Sequence, residues 1–183
     1  MHFITFATVQ WIDVFTRSEY VNIVVDSIAY CQKEKGLLVH TYCIMPNHLH
    51  LIISAVVNNL SNIIRDFKKF TSAKILKTIE QNSKESRRNW MLWIFRKAGL
   101  NNGRNKLIPA WPDGQEFWQQ DNHPIECSTE ERLATRMNYL QENPVIAGFV
   151  WIAEDYRYSS AIDYYTTGKG LINITRWKFK LDD

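Results

Sequence analysis

Cysteine is scarce in this 183-residue chain: Cys31, Cys43 and Cys127 are far apart, odd in number, and include no CxxC pair. That pattern excludes a disulfide framework and a thiolate zinc site, and it places the chain in a reducing, cytoplasmic setting. Long hydrophobic runs are also missing. No apolar stretch approaches the ~18 residues of a membrane span, so no membrane partner is expected. The opening segment MHFITFATVQWIDVF has no basic n-region and carries Asp13, which argues against a secretory signal. Internal repeats and low-complexity tracts are absent, and no RNP1-like segment marks an RNA-recognition module. What remains is 45% hydrophobic and 22% charged, the balance of one globular domain over 1–183 able to bury a core without cross-links.

The net charge of +3 hides an uneven distribution. Residues 61–110 hold 12 Lys and Arg against 3 Asp and Glu, whereas residues 111–163 hold 3 against 10. Such an excess suits a polyanion, and equally a solvated insertion.

Hydrophobic periodicity orders the chain. Residues 2–9 read as a strand, and residues 18–34 as a helix with Val21, Val24, Val25 and Ile28 on one stripe. LLVHTYCIM (37–45) and HLHLIISA (48–55) flank Pro46-Asn47, a pair suited to a tight turn, and read as a hairpin. Residues 60–79 give a second helix with Leu60, Ile63, Ile64, Phe67 and Ile75 inward and Arg65 and Lys69 outward. The polar, turn-rich stretch 80–114 reads as a basic insertion holding one short helix. A fourth strand is expected near 115–120 and a last helix over 129–143. The sum is an α+β, ferredoxin-like split βαβ fold: an antiparallel sheet with helices on one face, plus the insertion and a C-terminal tyrosine-bearing helix.

Two features carry chemistry. In His48-Leu49-His50, strand alternation sends both imidazoles to one face and Leu49 and Leu51 to the other. Imidazoles ~7 Å apart along a strand can converge on one divalent ion. On the last helix, Ser128 and Glu131 form a capping-box pattern and Pro144 marks the end near Asn143. Leu133, Met137 and Leu140 make its core stripe, while Arg132, Arg136, Tyr139 and Asn143 share another face. Tyr139 and Asn143, four residues apart, are neighbours there. Tyr139 as a half-buried helix tyrosine and Asn143 as a cap is the structural alternative.

YCIMPNHLHLII resembles the histidine–hydrophobe–histidine motif of HUH nucleases, and NYLQENPVIAGFV resembles the tyrosine helix of REP-associated tyrosine transposases, a branch of the single-strand insertion-sequence transposases. FWQQDNHPIE and DYRYSSAIDYY are similar to stretches those proteins carry around that helix, so the likeness runs over about residues 1–165. The resemblance implies Tyr139 as nucleophile, His48, His50 and Asn143 as metal ligands, and Mg2+ or Mn2+ as the cofactor. It implies cleavage and rejoining of single-stranded or hairpin DNA through a 5′-phosphotyrosine, as in DNA transposition, by a monomer or loose homodimer. The residues themselves also allow a non-catalytic or domesticated single-strand-binding protein. A small-molecule metallohydrolase would use the histidines but has no need of Tyr139.

Candidate DNA contacts are Arg65, Lys68, Lys69, Lys74, Arg87, Arg88, Arg132 and Arg136. Arg136 could instead pair with Glu131 or Glu142. Trp90 and Trp93 are expected in the core of the insertion, with base stacking as their alternative use.

Overall fold

The structure is a computed structural model that describes residues 1–101, 115–120, 122 and 124–177. Much of the polar end of the insertion, 102–114, lies outside the described residues. The chain order is β1 (His2–Ala7), α1 (Ser18–Lys35), β2 (Leu37–Ile44), β3 (His48–Ala55), α2 (Leu60–Gln81), α3 (Arg88–Asn101), β4 (Ile125–Glu126), α4 (Glu130–Ile146) and α5 (Ala161–Tyr165). The four strands make one sheet, ordered β2-β3-β1-β4, and every pairing in it is antiparallel. This is the ferredoxin-like arrangement expected from the β-α-β-β-α order.

Strand alternation sorts side chains into two cores. Ile4 and Phe6 of β1, Val39 and Ile44 of β2, and Leu49, Leu51 and Ile53 of β3 face one way. Val21, Val24 and Ile28 of α1 and Ile63, Phe67 and Ile75 of α2 cover them. On the opposite face, Phe3, Cys43 and Ile52 meet Leu133, Met137 and Leu140 of α4. The tyrosine-bearing helix therefore covers the face opposite α1 and α2, with Tyr156 and Tyr164 packed against the same core. α1 stops at Gly36, whose φ of 70° forms a left-handed cap. An added Cβ there would come within 3.3 Å of Val56 Cβ. The three cysteines are free and buried.

Several expectations need correction. The short helix expected in the insertion is the 14-residue α3, whose Met91, Leu92, Ile94 and Phe95 join the main core, so Trp90 and Trp93, expected in a core of the insertion, are instead 51% and 57% exposed. The fourth strand is Ile125–Glu126, not 115–120. Phe117 and Trp118 are buried, but Trp118 meets β1 only through an isolated bridge to Thr8, with its indole N–H donating to Thr71 Oγ1 at 2.9 Å. α4 is capped by Thr129, whose hydroxyl accepts from Arg132 N at 3.2 Å, not by Ser128. It also runs past Pro144 to Ile146. The last turn closes on carbonyls, from Ala147 N to Asn143 O and from Phe149 N to Pro144 O, both 2.9 Å. Proline's missing N–H is needed in neither bond. Beyond it, α5 follows where no further helix was anticipated.

A buried carboxylate ties the helix layer together. Glu85, between α2 and α3, accepts from Arg17 Nε at 2.7 Å and from Arg87 Nε and Arg87 N at 3.1 Å each. Burial pushes its carboxyl up, but the hydrogen bonds and charge of Arg87 and Arg17 outweigh this and hold it below the ordinary range. Glu85→Gln is expected to lower unfolding stability in urea by about 1.5–3 kcal/mol at neutral pH, the worth of hydrogen bonds to a charged group. Because the folded value is depressed, the wild-type advantage is complete above the unfolded carboxylate range. It shrinks as pH falls through the folded value. Identical urea midpoints at neutral pH would show that the network contributes nothing.

Candidate active site

β3 starts immediately after the Pro46-Asn47 turn, so its first and third residues are fixed by the pleat. Leu49 and Leu51 fill the helix-covered core, and the rings of His48 and His50 stand together on the other face with centroids 4.6 Å apart. β1 pairs with β3 in the register Thr5↔His50, Ala7↔His48. That register sets Thr5 Oγ1 2.8 Å from His50 Nδ1. Asn47 Oδ1 lies 2.6 Å from His48 Nδ1, and Asn47 Nδ2 donates to Asp13 Oδ1 at 3.0 Å. Partners at Nδ1 leave Nε2 of each ring as the nitrogen available to a ligand.

His50 is buried, and its Nε2 has no hydrogen-bond partner among the described residues. A buried, unpaired ring nitrogen is costly unless something binds it. Burial lowers His48 to a pKa of about 4. Burial, with a smaller contribution from His48, lowers His50 to about 3. Both rings are therefore neutral at physiological pH, the form that donates a lone pair to a metal. These two donors suit a divalent cation. Among the described residues, however, no group of three or more His, Cys, Asp or Glu side chains is placed to hold one.

α4 brings Tyr139 to the pair. Its ring is 5.5 Å from His50 and 6.1 Å from Phe3, both edge-on, while the residue stays 45% exposed. Phe3 is the hub: it stacks on His50 at 5.4 Å and carries the guanidinium of Arg136 at 5.2 Å on its ring. Arg136 thus lies over an aromatic face next to the phenol, and among the described residues it pairs with neither Glu131 nor Glu142. Phe3 and Thr5 were not singled out in the sequence, although alternation along HFITF puts both on the histidine face. Asn143 follows one turn after Tyr139 and is half-buried. No bond joins its carboxamide to either ring.

The basic residues divide. Arg132 is exposed on α4, and Arg65, Lys69 and Lys74 are exposed on α2, in the layer behind the sheet. Arg65 is paired with Asp66 at 3.2 Å. Lys68 Nζ donates to Gln119 O and Asn122 Oδ1, each at 2.8 Å. Arg87 is held by Glu85 and by Asp13 O, at 2.8 Å from the latter. Arg88 is half-buried at the start of α3.

The ferredoxin-like sheet thus presents two histidines on one strand beneath a tyrosine-bearing helix. The chain belongs to the IS200-like transposase family, whose model matches residues 2–96. That match spans β1 through most of α3 and includes both histidines, whereas Tyr139 and Asn143 lie beyond it. Among solved structures, the chain is similar to a REP-associated tyrosine transposase bound to a REP hairpin, with a TM-score of 0.59 and 17% identity. The alignment covers 100% of this chain and 87% of that one, and it shows the shared fold. No curated protein matches the chain significantly. No helix among the described residues is long and apolar enough to cross a membrane.

The lowered histidine values carry a pH signature. An unfolded imidazole gains its proton near pH 6.5, while the folded pair resists until about 4 and about 3. The unfolded state therefore binds more protons in that window, and stability should fall as pH drops from about 6.5 towards 4. Thermal midpoints of metal-free wild type and the His48→Gln/His50→Gln double variant should converge over that range. Parallel curves would contradict it.

Proposed function

We propose that this chain cleaves and rejoins single-stranded DNA with Tyr139 as nucleophile, in a cytoplasmic setting, as in DNA transposition. One observation carries the reading: a single chain packs the exposed phenol of Tyr139 against His50, whose buried Nε2 is unpaired and whose ring adjoins His48. Family membership supplies the DNA-transposition class of activity. The hairpin-bound state of the similar solved protein supports single-stranded or hairpin DNA as the substrate.

The phenol oxygen of Tyr139 attacks the scissile phosphorus. The new P–O bond forms as the bond to the 3′ oxygen breaks; the phenol gives up its proton and the departing 3′ oxygen takes one from solvent, leaving a free 3′-hydroxyl and a 5′-phosphotyrosine. Because the phosphodiester energy is retained, attack by another 3′-hydroxyl reverses the step and joins strands without ATP. His48 and His50 would hold a divalent ion, Mg2+ or Mn2+, through Nε2, with the Asn143 carboxamide as third ligand. Such an ion, when bound, would polarise the scissile phosphate and offset its developing charge. Arg136, oriented by the Phe3 face, binds a non-bridging phosphate oxygen, and Arg132 one turn earlier contacts the adjoining backbone. Arg65, Lys69 and Arg88, in the helix layer behind the sheet, meet DNA that flanks the cleaved strand rather than the scissile phosphate. Lys68 and Arg87 contribute indirectly, by holding Gln119 and Asn122 and the Asp13 turn. The packing of the phenol and both imidazoles within one chain supports a monomer or a loose homodimer.

The test is cleavage of labelled hairpin and single-stranded oligonucleotides. His48→Ala and His50→Ala should reduce it to background while leaving the circular dichroism spectrum unchanged, and EDTA should do so reversibly. Isolated strands and hairpins should be cut in preference to a perfect duplex. Full cleavage in excess EDTA, or equal cutting of duplex and single strands, would overturn the proposal.

A further inference from the structure

Trp11 occupies a position that core packing does not explain. Just after β1 the backbone enters the left-handed region at two successive residues, Gln10 (φ 52°, ψ 24°) and Trp11 (φ 55°). Neither is glycine, and for a residue as bulky as tryptophan this is a true outlier. Such strain persists only where the surroundings over-determine it. Here they do. Thr8 N donates to Asn47 O at 2.9 Å, Trp11 N to Thr8 O at 3.0 Å, and Phe15 N to Pro46 O at 2.8 Å. The Thr8 hydroxyl lies 2.9 Å from Ile12 O and 3.0 Å from Asn47 O. The strained turn is thereby stitched to the Pro46-Asn47 turn that launches His48.

The product of this strain is not a buried side chain. Trp11 is 53% exposed, while one edge meets the His48 ring at 5.4 Å and 75°. Trp11, His48, His50 and Tyr139 form a continuous row of rings, with the exposed indole at one end and the exposed phenol at the other. Trp90 and Trp93, whose alternative use was base stacking, belong to α3 in the helix layer behind the sheet, and Lys97 already covers the Trp93 ring at 4.8 Å.

We propose that Trp11 is a nucleobase platform of the active site, stacking an unpaired base beside the scissile phosphate. An indole face offers sequence-tolerant stacking to any base, and a base anchored there would hold its phosphate over the histidines. The stacking is specific to a single strand, because bases within a duplex already stack on one another. This inference rests on the proposed reading of the site as one that handles single-stranded DNA.

The test is equilibrium binding of a fluorescein-labelled short oligothymidylate to the full chain in EDTA, where cleavage does not intervene. Trp11→Ala should weaken binding by roughly 5- to 150-fold, the range that 1–3 kcal/mol of stacking per base implies. Trp11→Phe should recover most of the loss. An abasic oligomer of the same phosphate count should bind wild type and Trp11→Ala equally. Unchanged affinity in Trp11→Ala, or an equal loss for the thymidylate and abasic probes, would overturn the platform. If wild type cleaves DNA while Trp11→Ala binds as well as wild type, the platform alone fails. If wild type binds no single strand, the functional reading fails with it.

Discussion

The structure depends on the pleat of β3. Its eight residues must satisfy two cores at once: Leu49, Leu51 and Ile53 face the α1–α2 layer, and Ile52 faces α4. A slip of one residue would drive three aliphatic side chains out of the main core and put imidazoles into it. The register is therefore fixed by apolar burial, and His48 and His50 inherit their common face from it. The β1 pairing then brings Thr5 beside His50 and Phe3 onto its ring. The same hydrophobic force that closes the fold presents the polar site.

Phe3 transmits this order to the other half of the site. It belongs to the smaller core with Leu133, Met137 and Leu140, which seats α4. Those three residues recur at helical spacing, so their burial turns Arg136 and Tyr139 towards the Phe3–His50 stack. The family match ends at residue 96, before α4 begins. What links the tyrosine helix to the histidines is thus this packing.

Legibility followed the strength of each local signal. The hairpin, α1, α2 and the Leu133–Met137–Leu140 stripe were readable because burial imposes a regular period on many residues. Cap and end positions turn on single residues, and there neighbours compete. Ser128 and Thr129 both carry an N-cap hydroxyl, and only tertiary context selects Thr129. Pro144 signals termination but is admitted in the last turn, where it forfeits only the one N–H bond to Leu140 O and its own carbonyl still accepts from Phe149 N. Phe117 and Trp118 look like strand residues and are indeed buried, yet they reach β1 by one bridge because their side chains serve the core rather than a ladder. Trp11 was invisible as a functional candidate, since nothing in VQWID announces two consecutive left-handed residues.

The central claim is that the phenol on α4, brought to His50 by the Phe3 core, is the group that joins DNA. Peptide mapping by mass spectrometry after incubation with a cleavable single-stranded oligonucleotide and Mg2+ tests it most directly. The account predicts one covalent 5′-phosphate adduct, on the α4 peptide at Tyr139, and none in Tyr139→Phe despite retained DNA affinity. An adduct on Tyr156 or Tyr158, or cleavage that leaves a free 5′-phosphate and no adduct, would contradict it.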